Sequence, residues 1–420
     1  MIMNNKHTMP IEEGFDHSLK LLQEGYQFIL NRSHMFHSNV FETKLLAEKT
    51  ICLTGKETAK LFYDNDKFTR VGAAPKRIEK TLFGQGGVQG LDGDAHRERK
   101  GMFMSLMTKE SLQEISELTE EEWRKAITSW GLRDDTIVLY DESKKILALV
   151  ASKWTGIPIG EDIDDWSKEL GLMFETAAAL GPSHWKGRMA RSKIEDRVEV
   201  LVKKVRTGAI QPEQDRALYK FSWHRDTNGE LVDEKIVAVE LINLLRPIVA
   251  ISVYICFTAL AIHHYPEEVE KLKTGDQEHL KRFVQEVRRY YPFFPFTAAR
   301  VKDDFTWGGY EFEKGTLTLL DLYGTNHHPD DWENPDRFEP DRFIQWDKSP
   351  FDFIPQGGGE YDIGHRCAGE WITIDIMKVS LDNLVNKMRY ELPEQELQFS
   401  MNEIPSLPES KIIIRNVKRK

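Results

Sequence analysis

The stretch that most restricts this chain is 233–264. It carries one continuous helical pattern, and its second half, 248–262, is almost wholly apolar, with Arg246-Pro247 at the head of that run. An apolar run of this length falls short of the roughly 20 residues needed to cross a bilayer. The segment therefore reads as a core helix, which needs enough surrounding chain to be buried on every side. Pro247 removes a hydrogen bond from the ladder and usually kinks the axis, so the most apolar helix of the chain also holds a candidate site. The 420 residues, 40% of them hydrophobic, can supply such a core. At roughly 100–200 residues per domain, length alone suggests two or three domains. No linker, repeat or low-complexity run offers a cut, so 1–420 reads as a single domain.

Other segments predict more helix than strand. Residues 15–31, 57–63, 94–107, 277–291 and 368–388 have helical composition or spacing, as does most of 109–206. Short strands are expected as a hairpin within 45–53, a hairpin at 305–312 around Gly308-Gly309, and an apolar strand at 316–323. Residues 84–93 are a glycine-rich loop, 326–343 a Pro/Asp-rich meander, and 351–364 lacks periodicity. The expected class is mostly α with a minor β portion.

The net charge of -11 argues against nucleic acid as a partner. The N-terminus has no apolar stretch of the secretory kind, and no membrane anchor is expected. Three scattered cysteines do not make a disulfide framework. These features fit a cytoplasmic protein.

The sharpest chemical signal is Gly364-His365-Arg366-Cys367-Ala368-Gly369, just before the last helix. A helix N-terminus offers unpaired N–H groups and a favourable dipole to a thiolate, and both lower a cysteine pKa. From this segment alone, a plain buried cysteine is an equal reading. Glu286-x-x-Arg289 places two opposite charges on one helical face; alone it reads as a surface ion pair. Phe338-Glu339-Pro340-Asp341-Arg342-Phe343 is a turn followed by an arginine.

In this order and spacing, the three together resemble the cytochrome P450 superfamily, across nearly the whole chain. The resemblance implies a P450 fold with haem b between the long central helix and the helix after the Cys loop. It makes Cys367 the ligand of the haem iron, and Glu286, Arg289 and Arg342 the structural triad that locks the meander. Two departures stand out. Arg366 is adjacent to Cys367, and 353–359 lies further upstream than the usual haem loop. The family's central helix also carries an acid followed by Thr, which relay protons during oxygen activation. Here the corresponding stretch is Asn243-Leu244-Leu245-Arg246-Pro247-Ile248-Val249-Ala250, with no such pair.

Cleaving an O–O bond heterolytically needs a general acid/base nearby, and here the substrate can supply it. Arg246 on an apolar helix is costly to bury alone and wants an anion. A fatty acid carboxylate would satisfy it with paired hydrogen bonds. The Arg-Pro pair resembles the bacterial fatty-acid peroxygenases, as do Pro75-Lys76-Arg77, Thr81-Leu82-Phe83-Gly84, Asp92-Gly93, Ser105-Leu106-Met107-Thr108, Glu286-Val287-Arg288-Arg289-Tyr290-Tyr291-Pro292-Phe293 and Pro355-Gln356-Gly357-Gly358-Gly359. That branch uses hydrogen peroxide without a reductase. It hydroxylates long-chain fatty acids at the α or β carbon, and some members form terminal alkenes.

The resemblance implies a catalytic role for Arg246, Pro247 and Gln89. Gln89 lies where an alkene-forming relative has His; a neutral amide exchanges protons less readily than imidazole, which favours hydroxylation. His96 and Lys100 resemble the family's haem-propionate pair, with Arg366 as a further partner. Phe83, Phe174, Phe294 and Phe296 are candidates for an acyl channel, though aromatics serve equally as plain core.

The loop 84–90 lacks the spacing and context of a dinucleotide site. Neither His263-His264 nor His327-His328 makes a natural bidentate metal site, since adjacent helical residues diverge. Two other readings stay open: a conventional reductase-fed P450 monooxygenase, and a non-catalytic haem sensor.

Overall fold

The computed structural model describes residues 8–420 except 134, 161 and 274. Its axis is the helix Glu234–His264, started by Asp233, whose side chain accepts the N–H of Lys235. The helix runs unbroken through Pro247. Almost every side chain from Val237 to Ala261 is buried, because helices cover it on all sides: Leu139–Thr155, Ile163–Glu175, Pro182–Arg206 and Glu370–Asp382. Among the described residues it is the one helix long and apolar enough to cross a membrane, and 89% of its apolar window is buried inside the protein.

The covering helices are amphipathic. Leu139–Thr155 buries Tyr140, Leu147, Val150 and Trp154, close to one face at helical spacing. Lys109–Trp130 begins at Thr108, which caps the N–H of Ser111. Its Trp123 is wholly buried and donates Nε1–H to Ser380 Oγ at 3.0 Å, tying it to Glu370–Asp382.

A five-stranded sheet flanks the helices, in the order Val40–Leu45, Glu48–Leu53, Leu317–Asp321, Phe296–Val301, Phe68–Thr69. Only the pairing of Glu48–Leu53 with Leu317–Asp321 is parallel. A second sheet joins Ile137–Val138, Ile413–Arg419 and Met388–Glu391. Phe305–Trp307 and Tyr310–Phe312 form the expected hairpin, with Gly308 and Gly309 at φ +58° and +84° as a primed turn requires.

Several boundaries differ from the sequence reading. The first hairpin starts at Val40 and turns at Leu46-Ala47, both left-handed at φ 53° and 60°. No turn residue marks it. Asp16 and Ser18 hold the turn from outside by accepting the N–H groups of Ala47 and Leu46. The expected helix 15–31 is split into Ser18–Glu24 and Phe28–Phe36. Gly25 sits between them at φ +52°, against the backbone of Met401, where a Cβ would collide. The helix expected to reach 388 leaves α geometry at Asn383, because Met388 is drawn into a strand with the C-terminal segment.

Candidate functional site

Cys367 lies just before Glu370–Asp382, its residue half-buried. Burial pushes the thiol up. The ammonium of Lys100 and the N–H of Gly369 pull the other way. The helix start thus acts in the direction expected from sequence, but burial outweighs it.

Two buried ionic groups brace this loop. Glu370 accepts from Arg366 Nε at 2.6 Å with one oxygen and from Arg288 at 3.0 Å with the other. Arg288 also donates to Gln356 Oε1 at 2.9 Å, bringing in the 351–364 segment. Next to it, Arg289 makes paired 2.8 Å bonds to Glu286, both side chains wholly buried. Glu286 further accepts Arg342 Nε at 3.1 Å and the N–H of Glu339 at 2.8 Å. Arg289 caps the carbonyls of Asn326, Pro335 and Arg337. Removing one partner from such a set leaves an uncompensated buried charge, costing about 3–5 kcal/mol.

On another side of Cys367, His96 stacks on His365 with ring centroids 3.9 Å apart. Burial, then the nearby His365 and Lys100, push His96 down to about 3. His365 Nε2 lies 3.1 Å from Asp92. Arg70 is buried near both rings, and its NH1 has no hydrogen-bond partner. Lys100 donates to the carbonyl of Arg366, and burial pushes it down to about 8.

Arg246 projects from the central helix with 5% of its surface exposed. Its Nε is buried without a partner, and no ion pair reaches the side chain among the described residues. Burial, reinforced by nearby Arg191, pushes the guanidinium down to about 9; the pull of Cys367 opposes them. It keeps its charge at neutral pH. Pro247 beside it has no N–H, so the helix leaves the carbonyl of Asn243 without its usual donor.

One turn before Arg246, Asn243 Nδ2 donates to Glu240 Oε2 at 2.9 Å and to Gln89 Oε1 at 3.3 Å. Gln89 and Phe83 line one cleft with Glu79, Gly87 and Leu91. Arg191, 1% exposed, holds the Phe83 segment by donating to the carbonyls of Leu82 and Phe83. Phe174 is buried on Ile163–Glu175, in the core cluster against which Phe83 packs. Phe294 is half-buried between two core clusters, edge-on to Phe293 at 4.8 Å. Phe296 packs instead with Phe28 and Phe41 beside the N-terminal helices, apart from the other three.

The cytochrome P450 family profile matches residues 161–415, more than half the chain. The chain belongs to the cytochrome P450 family. Among solved structures, cytochrome P450EX alpha with myristic acid is 50% identical, at a TM-score of 0.95 over 98% of this chain and 99% of that one. Cytochrome P450SP alpha in complex with (R)-ibuprophen is 43% identical, at 0.94 over 96% and 99%. A variant of cytochrome P450 OleT with arachidonic acid is 37% identical, at 0.96 over 99% of each. These structures represent the fatty-acid peroxygenase branch. More distantly, the chain is 23% identical to beta-amyrin 28-monooxygenase of Barbarea vulgaris over 89% of its length and 84% of that protein's.

As a P450, the chain uses haem b, and its residues fit that group. Cys367 offers sulfur at a helix start, while the unpartnered N–H of Arg70, beside His96 and His365, suits an anionic propionate. Lys100 also donates to the carbonyl of Arg366, and Arg366 Nε to Glu370, so both brace the Cys loop. Sequence reasoning missed Arg70, His365, Glu370, Arg191 and Glu240. Only His365, two residues before Cys367, carried a local signal.

Proposed function

We propose that this P450 hydroxylates long-chain fatty acids at the α or β carbon using hydrogen peroxide, without an obligatory reductase, with terminal alkenes as a side product. The observation that carries this reading is Arg246: a buried guanidinium that no ion pair reaches among the described residues. Leaving such a charge unpaired costs several kcal/mol. A substrate carboxylate removes that cost through paired, charge-assisted hydrogen bonds. The carboxylic acids named with the three solved relatives are of the chemistry this guanidinium would take.

Haem b, which Cys367 would hold, would activate peroxide, the two-electron oxidant, for attack on a C–H bond. The chain's own residues do the rest. Arg246 fixes the carboxylate, so Cα and Cβ are the carbons nearest the anchored end. Held there, the carboxylate takes a proton from one peroxide oxygen and returns it to the other, the general acid/base role that no Asp or Glu paired with Arg246 fills among the described residues. Phe83 and Phe174 provide apolar surface for the chain, and Phe294 adds more from the strand side. His96, with Arg70 and His365, would hold the propionates. The chain 1–420 acts as one domain, and the buried free thiols of Cys52 and Cys256 suit a cytoplasmic setting.

The test is direct. Purified enzyme is mixed with myristic acid and peroxide, with no reductase, and products are read by gas chromatography. We expect 2- and 3-hydroxy acids from the wild type, and loss of turnover in Arg246→Ala with haem still bound. Undiminished turnover in Arg246→Ala defeats the anchoring role. Turnover only with a reductase and NAD(P)H makes the enzyme a conventional monooxygenase, and none under either condition makes it a non-catalytic haem protein.

A further inference from the structure

The hydrogen bonds from Arg99 to Gln89 form a chain whose direction is set by chemistry. Arginine can only donate, and Arg99 NH1 donates to Glu240 Oε1 at 3.0 Å. Glu240 is wholly buried; burial pushes its carboxyl up, while Asn243 and Arg99 favour its charged form. As a carboxylate it only accepts, so the Asn243 side chain must present Nδ2 to it. Nδ2 also donates to Gln89 Oε1. A flipped Asn243 would set oxygen against oxygen at Glu240.

Two groups are left over at the end of this chain. Asn243 Oδ1 is an acceptor, buried without a partner on a residue only 6% exposed. Gln89 Nε2 is a donor with no hydrogen-bond partner among the described residues. Both belong to side chains already joined to each other, one helical turn from Arg246. A carboxylate suits Arg246 but not Asn243 Oδ1, since both would be acceptors. What fits the amide pair is a small molecule whose oxygen accepts from Gln89 while its O–H donates to Asn243.

We propose that Asn243 and Gln89 form the seat for hydrogen peroxide, or for the water that takes its place, and that Glu240 and Arg99 are positioning residues that fix the polarity of that seat. This rests on the reading of the enzyme as peroxide-driven. It divides the labour on the central helix: Arg246 takes the acid, and the amide pair takes the oxidant.

Steady-state kinetics of the holoenzyme with myristic acid test the division. In Gln89→Leu and in Asn243→Ala, KM for peroxide rises about tenfold, the worth of one well-placed hydrogen bond. The affinity for myristic acid, read from the haem absorbance on titration without peroxide, stays within about twofold. Glu240→Gln lets the Asn243 amide turn over and raises KM for peroxide to a similar degree, an effect that a purely structural carboxylate would not produce. Gln89 stands on a half-buried loop, so its variant remains informative where a helix variant loads haem poorly. An unchanged KM for peroxide in Gln89→Leu, with wild-type turnover intact, overturns this proposal and leaves the peroxygenase reading standing. Absence of peroxide-driven turnover in the wild type overturns both.

Discussion

Arg288 and Glu370 meet at 3.0 Å, both buried, and join the helix that carries Glu286 and Arg289 to the helix that follows Cys367. The other oxygen of Glu370 holds Arg366, immediately before the cysteine. One carboxylate therefore sets the loop from both sides. Glu370→Ala should destabilise the protein by about 3–5 kcal/mol, since Arg288 would be left with a buried, weakly compensated charge. Denaturant unfolding and the haem content of the purified protein check this. Wild-type values for both would show that the loop is held elsewhere.

The neighbouring carboxylate, Glu286, has a longer reach. It binds Arg289 twice, Arg342 once and the backbone of Glu339. Glu286→Gln turns an N–H group toward the Arg289 guanidinium whichever way the amide is set, and should free the meander. We expect a loss of stability of about 3–5 kcal/mol and rapid proteolytic cleavage within 326–343. Resistance equal to wild type would contradict the role assigned to the triad.

How much of this was visible beforehand depended on whether a residue's partner lay nearby in sequence. The central helix was legible from its apolar run, and the Glu286–Arg289 pair from its spacing on one face. Arg246 stood out because a charge at the head of the apolar run, on a core helix, is costly to bury alone. Arg70, Arg191 and Glu240 were not legible. Each looks like an ordinary surface charge in sequence, and its partners lie in distant segments: Asp92 takes the backbone N–H of Arg70, Leu82 the guanidinium of Arg191, and Arg99 pairs with Glu240. The hairpin turn at Leu46-Ala47 escaped notice for the same reason, since its stabilising groups come from Asp16 and Ser18. Thiol acidity was read from the helix start alone, whereas burial depends on the whole fold around Cys367.

Gln89 accepts from Asn243 and so sits within reach of the seat next to Arg246. Replacing it with His puts a group that titrates near neutrality where a neutral amide stood. In Gln89→His, the terminal alkene should form a larger share of the products of myristic acid at neutral pH. Gas chromatography reads the ratio, and an unchanged alkene share would remove Gln89 from the control of product outcome.

Asp321 gives a prediction about stability rather than turnover. Burial pushes its carboxyl up to about 8, against the N–H groups of Gly324 and Tyr323; its Oδ2 has no partner. Between the unfolded and folded pKa values the folded protein binds more protons, so this group's contribution to stability falls as pH rises from about 4 to 8. Asp321→Asn removes the ionisation. The Tm of the variant relative to wild type should therefore rise with pH across that range. A constant or falling difference would show that the carboxyl is not held neutral.

The account depends most on which end of the lipid meets Arg246. A crystal structure of the haem-loaded enzyme with myristic acid measures this. It should place the carboxylate within hydrogen-bond distance of the Arg246 guanidinium, the α and β carbons toward the haem, and the tail toward Phe83 and Phe174. A carboxylate left in the cleft beside Gly86 and Leu91, with the methyl end inward and Arg246 still unpaired, would contradict it.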